Sequence, residues 1–272
     1  NKNMYGIIGL GFVGGAISKS FQEKGITVIS YDKYKNGGIG NFKDTLNCEM
    51  LYLCLPTLFQ PEINQYDKSA IHEVLQKLQE NNYTGLIVLK STVEPETTDK
   101  LSEKYPNLKL IHNPEFLTAR TAYHDFHHQT HIVLGKGSNC NDEDISIVKK
   151  FYEKYYPEAD ISICTSLESE SMKIFCNSFY ASKIQLFNEY YLLCQSNGSD
   201  FDTIRKLMLK NKWINEMHTD VPGPDGNLSY GGACFPKDTN ALCQYMKNQN
   251  TQHQVIEHVI SERNGMRDNL YF

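Results

Sequence analysis

The stretch that decides the fold is MYGIIGLGFVGGAISKSFQEKGITVISYD, residues 4–32. It opens with a short apolar run from Met4 to Ile8, passes through a glycine-rich turn, and continues with apolar residues at helical spacing up to Phe21. Gly25 ends that helix, and the β-branched run 27–31 indicates a second strand. The sequence therefore predicts a strand-helix-strand unit.

The glycine turn has the spacing of a dinucleotide-binding site. Gly9 permits a tight turn, Gly11 lets the backbone approach a pyrophosphate, and Gly14 allows the helix to pack closely on the strand. The helix that begins with Phe12 and Val13 offers backbone N–H groups and partial positive charge to that anion.

The second strand ends at an acid, Asp32, which follows Gly14 by 18 residues. A carboxylate there accepts hydrogen bonds from a ribose diol and favours NAD, whereas the neighbouring Lys33 leaves some tolerance for a 2′-phosphate. The alternative is a glycine-rich turn with a surface aspartate. Because strand, turn, helix and acid occur together, the sequence favours an NAD site.

The rest of the chain continues the alternation of strands and helices. Short apolar runs predict strands at residues 50–55, 86–89, 108–111, 132–134 and 161–163. Helical patterns lie between them at residues 71–78, 96–105 and 141–155. This order predicts an α/β fold with a Rossmann-type, doubly wound parallel sheet.

The pattern changes after Thr165. Residues 168–196 contain neither glycine nor proline and predict one long helix that connects two domains. Shorter helices are predicted at residues 201–209, 237–246 and 255–263. We therefore expect an NAD-binding domain over residues 1–165 and a smaller all-α domain, for substrate binding and dimerisation, over residues 166–272.

Composition excludes several classes of protein. The 272 residues carry a formal charge of −5 without a basic run, so a nucleic-acid partner is not expected. No apolar run reaches the ~18 residues of a membrane span, and the chain opens without a signal-peptide pattern, so we expect a cytoplasmic protein. The eight cysteines include no Cys-x-x-Cys pair, and most should be buried thiols. Histidines 124, 127, 128 and 131 lack the spacing of a metal site, so no metal is predicted.

The segment Tyr230-Gly-Gly-Ala-Cys234-Phe-Pro-Lys-Asp238 is a second candidate site. Its paired glycines allow a loop to wrap closely around a ligand and to hold a thiol at the rim. Lys237 and a helix that begins near Pro236 would both favour the thiolate form of Cys234. The alternatives are a buried, inert thiol and an aspartate that complements a helix dipole.

A third feature is the pair Lys173 and Asn177, four residues apart and therefore on one helix face. An ammonium and an amide aimed together can stabilise an oxyanion, but a solvated face with Lys173 paired to Glu168 or Glu170 is the more common arrangement.

Two polar segments follow predicted strands, where ligands bind in open α/β sheets. They are Ser91-Thr92-Val93 and His112-Asn-Pro-Glu115-Phe-Leu117. Capping and turn formation explain their Thr, Asn and Pro residues, but they do not explain Glu115 beside two large apolar side chains.

Taken together, these motifs resemble the UDP-glucose/UDP-N-acetylmannosamine 6-dehydrogenase family, in that family's order and over nearly the whole chain. They are Gly9-Leu-Gly-Phe-Val-Gly14, Cys54-Leu-Pro-Thr57, Ser91-Thr-Val93, Asn113-Pro-Glu-Phe-Leu117, Lys173-x3-Asn177 and Gly231-Gly-Ala-Cys-Phe-Pro-Lys-Asp238. The Cys-Phe-Pro-Lys-Asp block is the most specific of them.

The resemblance implies oxidation of a sugar C6 alcohol to a carboxylate with two NAD, through a thioester on Cys234. Lys173 and Asn177 would stabilise the C6 oxyanion, Asp238 with Thr92 and a bound water would accept a proton, and Glu115 would act in thioester hydrolysis. The implied cofactor contacts also include Leu55, Pro56, Thr57, Ser91 and Lys237. The implied sugar contacts also include Phe116, Leu117, Thr118, Tyr230, Gly231 and Phe235.

The chain departs from the family pattern at several points. Ala119 stands where the family has a second acid, and Glu96 and Ser229 occupy family glycine positions. The sequence ends at Phe272, before the family's second α/β domain that holds part of the UDP group. A partner chain, a different substrate or a smaller nucleotide site would account for that. The family's habit and the long helix both predict a homodimer.

Two other functions fit the same residues. A β-hydroxyacid dehydrogenase of the 6-phosphogluconate dehydrogenase type has a similar layout, with Lys and Asn four residues apart, and does not need Cys234. A non-catalytic subunit that binds NAD or a nucleotide sugar is the third alternative.

Overall fold

The computed structural model of the chain describes residues 3–271. Their contacts divide into two compact units. Of the described residues, the first unit comprises those up to Leu58 and Asp67–Lys173, and the second comprises Phe59–Tyr66 and those from Ile174 onward.

The strands, in chain order, are β1 (Met4–Ile8), β2 (Thr27–Tyr31), β3 (Met50–Leu53), β4 (Phe59–Gln60), β5 (Gln65–Tyr66), β6 (Leu86–Leu89), β7 (Lys109–His112), β8 (His131–Lys136) and β9 (Asp160–Thr165). The helices are α1 (Phe12–Glu23), α2 (Phe42–Thr45), α3 (Ser69–Glu80), α4 (Thr97–Lys104), α5 (Ala122–His127), α6 (Asp142–Tyr155), α7 (Ser166–Asn197), α8 (Phe201–Leu209), α9 (Phe235–Asn248) and α10 (Gln254–Asn264).

The first unit is built on a seven-stranded sheet with the order β2-β1-β3-β6-β7-β8-β9. All neighbouring strands are parallel except β7 and β8, which pair antiparallel. The chain leaves β1 toward β2 on one side and returns to β3 on the other, so the strand order reverses between β1 and β3. Ligands of open α/β sheets bind at the carboxyl ends of such a pair. The predicted fold class is confirmed.

Both faces of the sheet are covered, which explains the unbroken apolar runs of its central strands. Every residue of β3 and of β6 is buried. On one face, Phe21, Tyr52, Phe126 and Phe151 pack with aliphatic residues in a mixed core, and on the other the core is mostly leucine and isoleucine. The sheet is therefore a rigid platform for the turns at its strand ends.

The second unit contains the later part of α7 together with α8, α9 and α10. It also contains a short antiparallel ribbon, β4 and β5, in which Phe59 pairs with Tyr66. The sequence did not predict this ribbon. Tyr66 packs with Ile174 and Leu242 in one small core, and Phe187 packs with Phe201 in another.

The division of the chain lies at Lys173 and Ile174, within α7, rather than at the end of β9. Compactness does not decide which segments fold independently. The boundary between residues 165 and 166 therefore stays a prediction. Among the described residues, no helix is both long and apolar enough to cross a membrane.

Glu96 and Ser229, the two replacements of family glycines, both have left-handed backbone conformations. Their φ angles are +80° and +59°. Residues other than glycine rarely adopt this left-handed conformation, because their Cβ crowds the neighbouring carbonyl oxygen at a cost of roughly 1–2 kcal/mol. A requirement of the backbone thus explains why glycine suits both positions.

We predict that Glu96→Gly stabilises the first unit by about 0.5–1 kcal/mol, because it relieves this strain at some cost in unfolded-chain entropy. Glu96→Ala removes the same carboxylate but keeps the Cβ, and it should give no gain. Urea unfolding of both variants measures the difference. Equal stability of the two variants would show that φ strain at residue 96 is negligible.

Candidate active site

The glycine turn lies at the carboxyl end of β1, beside the end of β3. Gly9 has a φ of +94°, and a Cβ on it would lie 2.4 Å from the Cys54 carbonyl oxygen. A Cβ on Gly14 would lie 1.7 Å from the Gly9 carbonyl oxygen. Neither position can hold a side chain, so both glycines are required by the backbone itself.

Gly11 differs from these two glycines because a Cβ on it would meet no atom within 4 Å. It is exposed and forms the N-cap of α1, whose first residues, Phe12 and Val13, present their N–H groups at the end of the helix. Space, helix dipole and free donors suit a pyrophosphate, so this turn fits the phosphates of NAD.

Asp32 closes the same turn. Its Oδ2 accepts the Leu10 N–H at 2.7 Å, and its Oδ1 accepts the N–H groups of Tyr34 and Lys35 at 2.9 and 3.0 Å. Partial burial opposes ionisation, but these backbone donors, with the nearby Lys35 ammonium, hold the pKa of Asp32 below its usual value. An ionised carboxylate with lone pairs to spare can accept ribose hydroxyls.

Two lysines flank this aspartate. Lys33, the predicted neighbour of a 2′-phosphate, forms an ion pair with Glu73 at 2.5 Å. The ammonium of Lys35 instead donates to the Leu10 carbonyl at 2.6 Å and so braces the glycine turn. Sequence reasoning did not identify Lys35, although its position three residues after Asp32 was a signal.

The loops after β3 and β6 are joined by their own hydroxyl groups. Ser91 donates to the Leu55 carbonyl at 2.6 Å, and Thr57 donates to the Thr92 carbonyl at 2.8 Å. Pro56 is exposed between them. These predicted cofactor residues therefore lie together at the carboxyl edge of the sheet. Burial raises the pKa of the neighbouring Cys54 thiol to about 12, which makes it a poor nucleophile.

A buried polar network lies at the ends of β6 and β7. The Lys90 ammonium donates to Asn113 Oδ1 at 3.0 Å, and Tyr152 donates to the same oxygen at 2.5 Å. Burial lowers the pKa of Lys90 to about 8. His112 Nε2 contacts the Ser91 carbonyl at 3.1 Å, and its Nδ1 contacts Ser169 Oγ at 2.7 Å. Burial lowers the pKa of His112 to about 4, so it is neutral at physiological pH.

Glu115, Phe116 and Leu117 line a cleft of about 290 Å³ in the first unit, and Lys90 also lines it. The Glu115 carboxylate accepts the Leu117 N–H at 2.5 Å. Thr118, one residue further on, donates its N–H to Asp125 at 3.0 Å. The backbone N–H groups of Leu117 and Thr118 are thus both held by nearby carboxylates.

Lys173 is buried at 6% exposure, with its ammonium 5.2 Å from the centre of the Phe116 ring. The alternative pairing with Glu168 or Glu170 is wrong. Glu168 accepts the Thr165 N–H at 3.0 Å, and Glu170 accepts the Thr98 N–H at 2.8 Å at the start of α4. Burial raises the pKa of Glu170 to about 8.

In the second unit, Asp238 is fully buried and gathers three donors. Asn177 Nδ2 donates to Oδ2 at 2.7 Å, and the Lys237 ammonium donates to Oδ1 at 2.7 Å. The Tyr66 hydroxyl also donates to Oδ1, and the Lys237 ammonium lies 4.8 Å from the centre of the Tyr66 ring. Tyr66, which the sequence did not single out, joins β5 to this group.

Cys234 is half-buried at the N-cap of α9, and Pro236 lies in the first turn of that helix. The Cys234 carbonyl accepts the Asp238 N–H at 2.9 Å. A helix N-terminus favours a thiolate, so this position suits a nucleophile. Phe235 contacts the rings of Tyr180 and His218, while Tyr230 is buried beneath Arg263.

Comparisons with known proteins agree with this description. Residues 39–156 match the NAD binding domain of the UDP-glucose/GDP-mannose dehydrogenase family, and residues 167–264 match its central domain. The UDP-glucose 6-dehydrogenase of Rickettsia bellii is 32% identical over 220 residues, which cover 79% of this chain and 49% of that protein.

Two solved structures share the fold. A UDP-glucose dehydrogenase from Pyrobaculum islandicum has a TM-score of 0.83 at 21% identity, covering 96% of this chain and 68% of its own. The 3-hydroxyisobutyrate dehydrogenase of Mycobacterium tuberculosis has a TM-score of 0.76 at 13% identity, covering 100% of this chain and 96% of its own.

Because dehydrogenases of different substrate classes share this fold, the two family matches are what identify the nucleotide-sugar class. The chain belongs to the UDP-glucose/GDP-mannose dehydrogenase family. The predicted cofactor, NAD, is confirmed by the match to that family's NAD binding domain. The chain spans about half the length of the curated relatives it matches, 49% for the first three.

We predict that Gly11→Ala leaves the melting temperature unchanged but weakens NAD binding by about tenfold or more, because its methyl group occupies the space for the pyrophosphate. Gly15→Ala is the matched control, since its Cβ would lie 3.8 Å from the nearest atom, the Leu10 carbonyl oxygen. Calorimetric titration with NAD measures the effect. Wild-type affinity in Gly11→Ala would place the pyrophosphate elsewhere.

Proposed function

We propose that this chain carries the catalytic residues of a UDP-glucose 6-dehydrogenase, which oxidises the C6 alcohol of UDP-glucose to the carboxylate of UDP-glucuronate. Membership of the nucleotide-sugar dehydrogenase family supports the reaction class. The name of the Rickettsia bellii relative supports UDP-glucose as the substrate.

One observation carries the proposal: Cys234 lies at the N-cap of α9, one turn before the fully buried carboxylate of Asp238. A buried carboxylate is tolerated only when donors surround it, and here Tyr66, Asn177 and Lys237 do so. That arrangement fixes the first turn of α9, which holds the backbone of Cys234 from one side. An inert cysteine would not need this support.

NAD, when bound, accepts a hydride in each of the two oxidation steps. After the first, the Cys234 thiolate adds to the C6 aldehyde carbon, and the oxygen takes up a proton to give a thiohemiacetal. The second oxidation removes the C6 hydride and the hydroxyl proton and leaves a thioester. Water then adds to the carbonyl carbon, the carbon–sulfur bond breaks, and the carboxylate leaves with the thiolate restored.

In these reaction steps, each assigned side chain stabilises a charge, accepts a proton or directs a water molecule. Lys173 and the second N–H of the Asn177 amide stabilise the negative oxygen on C6. Asp238, with Thr92 and a bound water, accepts the proton of the alcohol. Glu115 directs the water that hydrolyses the thioester.

The remaining assigned residues bind the ligands. The cofactor residues are Gly9, Gly11, Phe12, Val13, Gly14, Asp32, Lys33, Leu55, Pro56, Thr57, Ser91, Thr92 and Lys237. The sugar residues are Glu115, Phe116, Leu117, Thr118, Lys173, Asn177, Tyr230, Gly231, Cys234 and Phe235. We also propose a cytoplasmic location, a compartment in which thiols are kept reduced.

We also propose a homodimer formed through α7. Large apolar side chains are exposed along this helix at helical spacing, and Phe175, Phe179, Leu186 and Leu193 are 52%, 65%, 46% and 61% exposed. A stripe of this kind on a long helix is typical of an interface. A further chain that completes the UDP site is compatible with the same arrangement.

A second candidate, a two-electron β-hydroxyacid dehydrogenase, is favoured by the superposition on 96% of the 3-hydroxyisobutyrate dehydrogenase chain. At 13% identity that match concerns the fold alone. This reaction would consume one NAD per substrate and would leave the thiol of Cys234 without a task.

The test is uronate formation from UDP-glucose and NAD by the wild type, Cys234→Ala and Cys243→Ala. We expect Cys234→Ala to lose about 10³-fold or more in rate, because no other group captures the aldehyde. Cys243 is buried on the same helix and serves as the matched control, with a rate near that of the wild type.

Full uronate production by Cys234→Ala would exclude the thioester route. Turnover of a β-hydroxyacid without uronate would favour the second candidate. NAD binding without turnover, alone or with added partner chains, would favour a non-catalytic binding subunit.

A further inference from the structure

Two arginines of the second unit hold the segment that leads to Cys234. Arg263, at 1% exposure, donates through Nε to the Tyr230 carbonyl at 2.9 Å. Its guanidinium also lies 5.4 Å from the centre of the Tyr230 ring and donates to the Asn269 carbonyl at 2.5 Å. It therefore ties this segment to α10 and to the residues that follow it.

Arg267 holds the two preceding carbonyls. Its Nε donates to the Leu228 carbonyl at 2.7 Å, and its Nη2 donates to the Ser229 carbonyl at 2.9 Å. Its Nη1 pairs with Asp225 Oδ2 at 2.5 Å. With its side chain only 10% exposed, Arg267 uses the planar fork of its donors in a largely buried setting.

Gly231 shows how closely this guanidinium approaches the backbone. A Cβ on Gly231 would lie 2.5 Å from Arg267 Nη1, so a side chain there would displace the arginine. From the other side, Asn188 on α7 accepts the Ser229 N–H at 2.8 Å, and Gln185 accepts the Ser229 hydroxyl. Residues 228–230 are therefore held on two sides.

We propose that Arg267, assisted by Arg263, is a positioning residue for the Cys234 thiol; the inference rests on the proposed function. Three residues, 231–233, separate the anchored carbonyls from Cys234, and two of them are glycines. Glycine has the greatest backbone freedom of any residue, so residues 231–233 alone would leave the position of the thiol poorly defined. The arginines fix one end of the link and α9 fixes the other.

The Arg267 side chain contributes the geometry of its donors as well as its charge. A lysine at 267 could still pair with Asp225, but a single ammonium cannot reach two carbonyls and a carboxylate in the planar arrangement that the fork provides. Arg267→Lys therefore keeps the charge and loses the anchor. Arg205→Lys is the matched control, because Arg205 is also partly buried in this unit and contacts Thr219 and Asp220.

The first readout is the rate at which iodoacetamide alkylates Cys234, measured by peptide mass spectrometry on the folded chain without substrate. In Arg267→Lys we expect alkylation about fivefold faster or more, since the loosened link opens the half-buried thiol. Cys194 and Cys243, which are buried in the same unit, should stay protected. Arg205→Lys should match the wild type.

The second readout is uronate formation from UDP-glucose, which we expect to fall about tenfold or more in Arg267→Lys, because a misplaced nucleophile captures the aldehyde slowly. A thiol that alkylates faster but performs catalysis more slowly is the signature of lost positioning. An unchanged alkylation rate for Cys234 would overturn the proposal. Since alkylation needs no turnover, this readout stands even if UDP-glucose is not the substrate.

General unfolding of the unit would expose Cys194 and Cys243 as well. In that case Asp225→Asn, which weakens the Arg267 fork without removing it, decides the question. Faster alkylation of Cys234 alone in that variant supports the proposal. Wild-type protection of Cys234 overturns it.

Discussion

The second unit depends on the hydrogen bonds that the buried carboxylate of Asp238 accepts. Removing an ionised carboxylate from water costs several kcal/mol unless charge and hydrogen bonds replace the lost hydration. Tyr66, Asn177 and Lys237 supply those bonds from β5, from α7 and from α9 itself. The Asp238 side chain thus connects three elements of the unit. The contact with Tyr66 also gives the ribbon of β4 and β5 a structural role, although each of its strands has only two residues.

The same interaction links fold and chemistry in that unit. Asp238 occupies the first turn of α9, and its N–H bonds back to the Cys234 carbonyl. Whatever holds the aspartate therefore holds the backbone of the cysteine. In the first unit the corresponding constraint is steric, because Gly9 and Gly14 cannot carry a Cβ. There the backbone contact shapes the turn, and Gly11 leaves open the space that the cofactor needs.

Much of the fold could be predicted because its elements obey simple periods. The buried runs of β3 and β6 and the long apolar pattern of α7 are visible in the sequence. The ribbon of β4 and β5 could not be found, because two residues per strand carry no period. The Rossmann turn could be predicted in detail, since its glycines and Asp32 act within 28 residues of Met4.

The site was less accessible to sequence reasoning because distant residues decide it. Pairing of Lys173 with a glutamate on its own helix was a reasonable local alternative, but Glu170 bonds to Thr98 at the start of α4. Lys90 follows an apolar strand and gave no separate signal. Arg267 contacts the Leu228 carbonyl 39 residues earlier, which no spacing rule anticipates.

In the proposed reaction, one thiol allows this chain to carry out two successive oxidations of one alcohol. The most direct measurement is the number of NADH molecules formed per uronate by the wild-type chain supplied with UDP-glucose, with both quantified in one reaction. The thioester route predicts two NADH for each uronate. One NADH per substrate consumed, with an aldehyde or ketone as the final product, would contradict it.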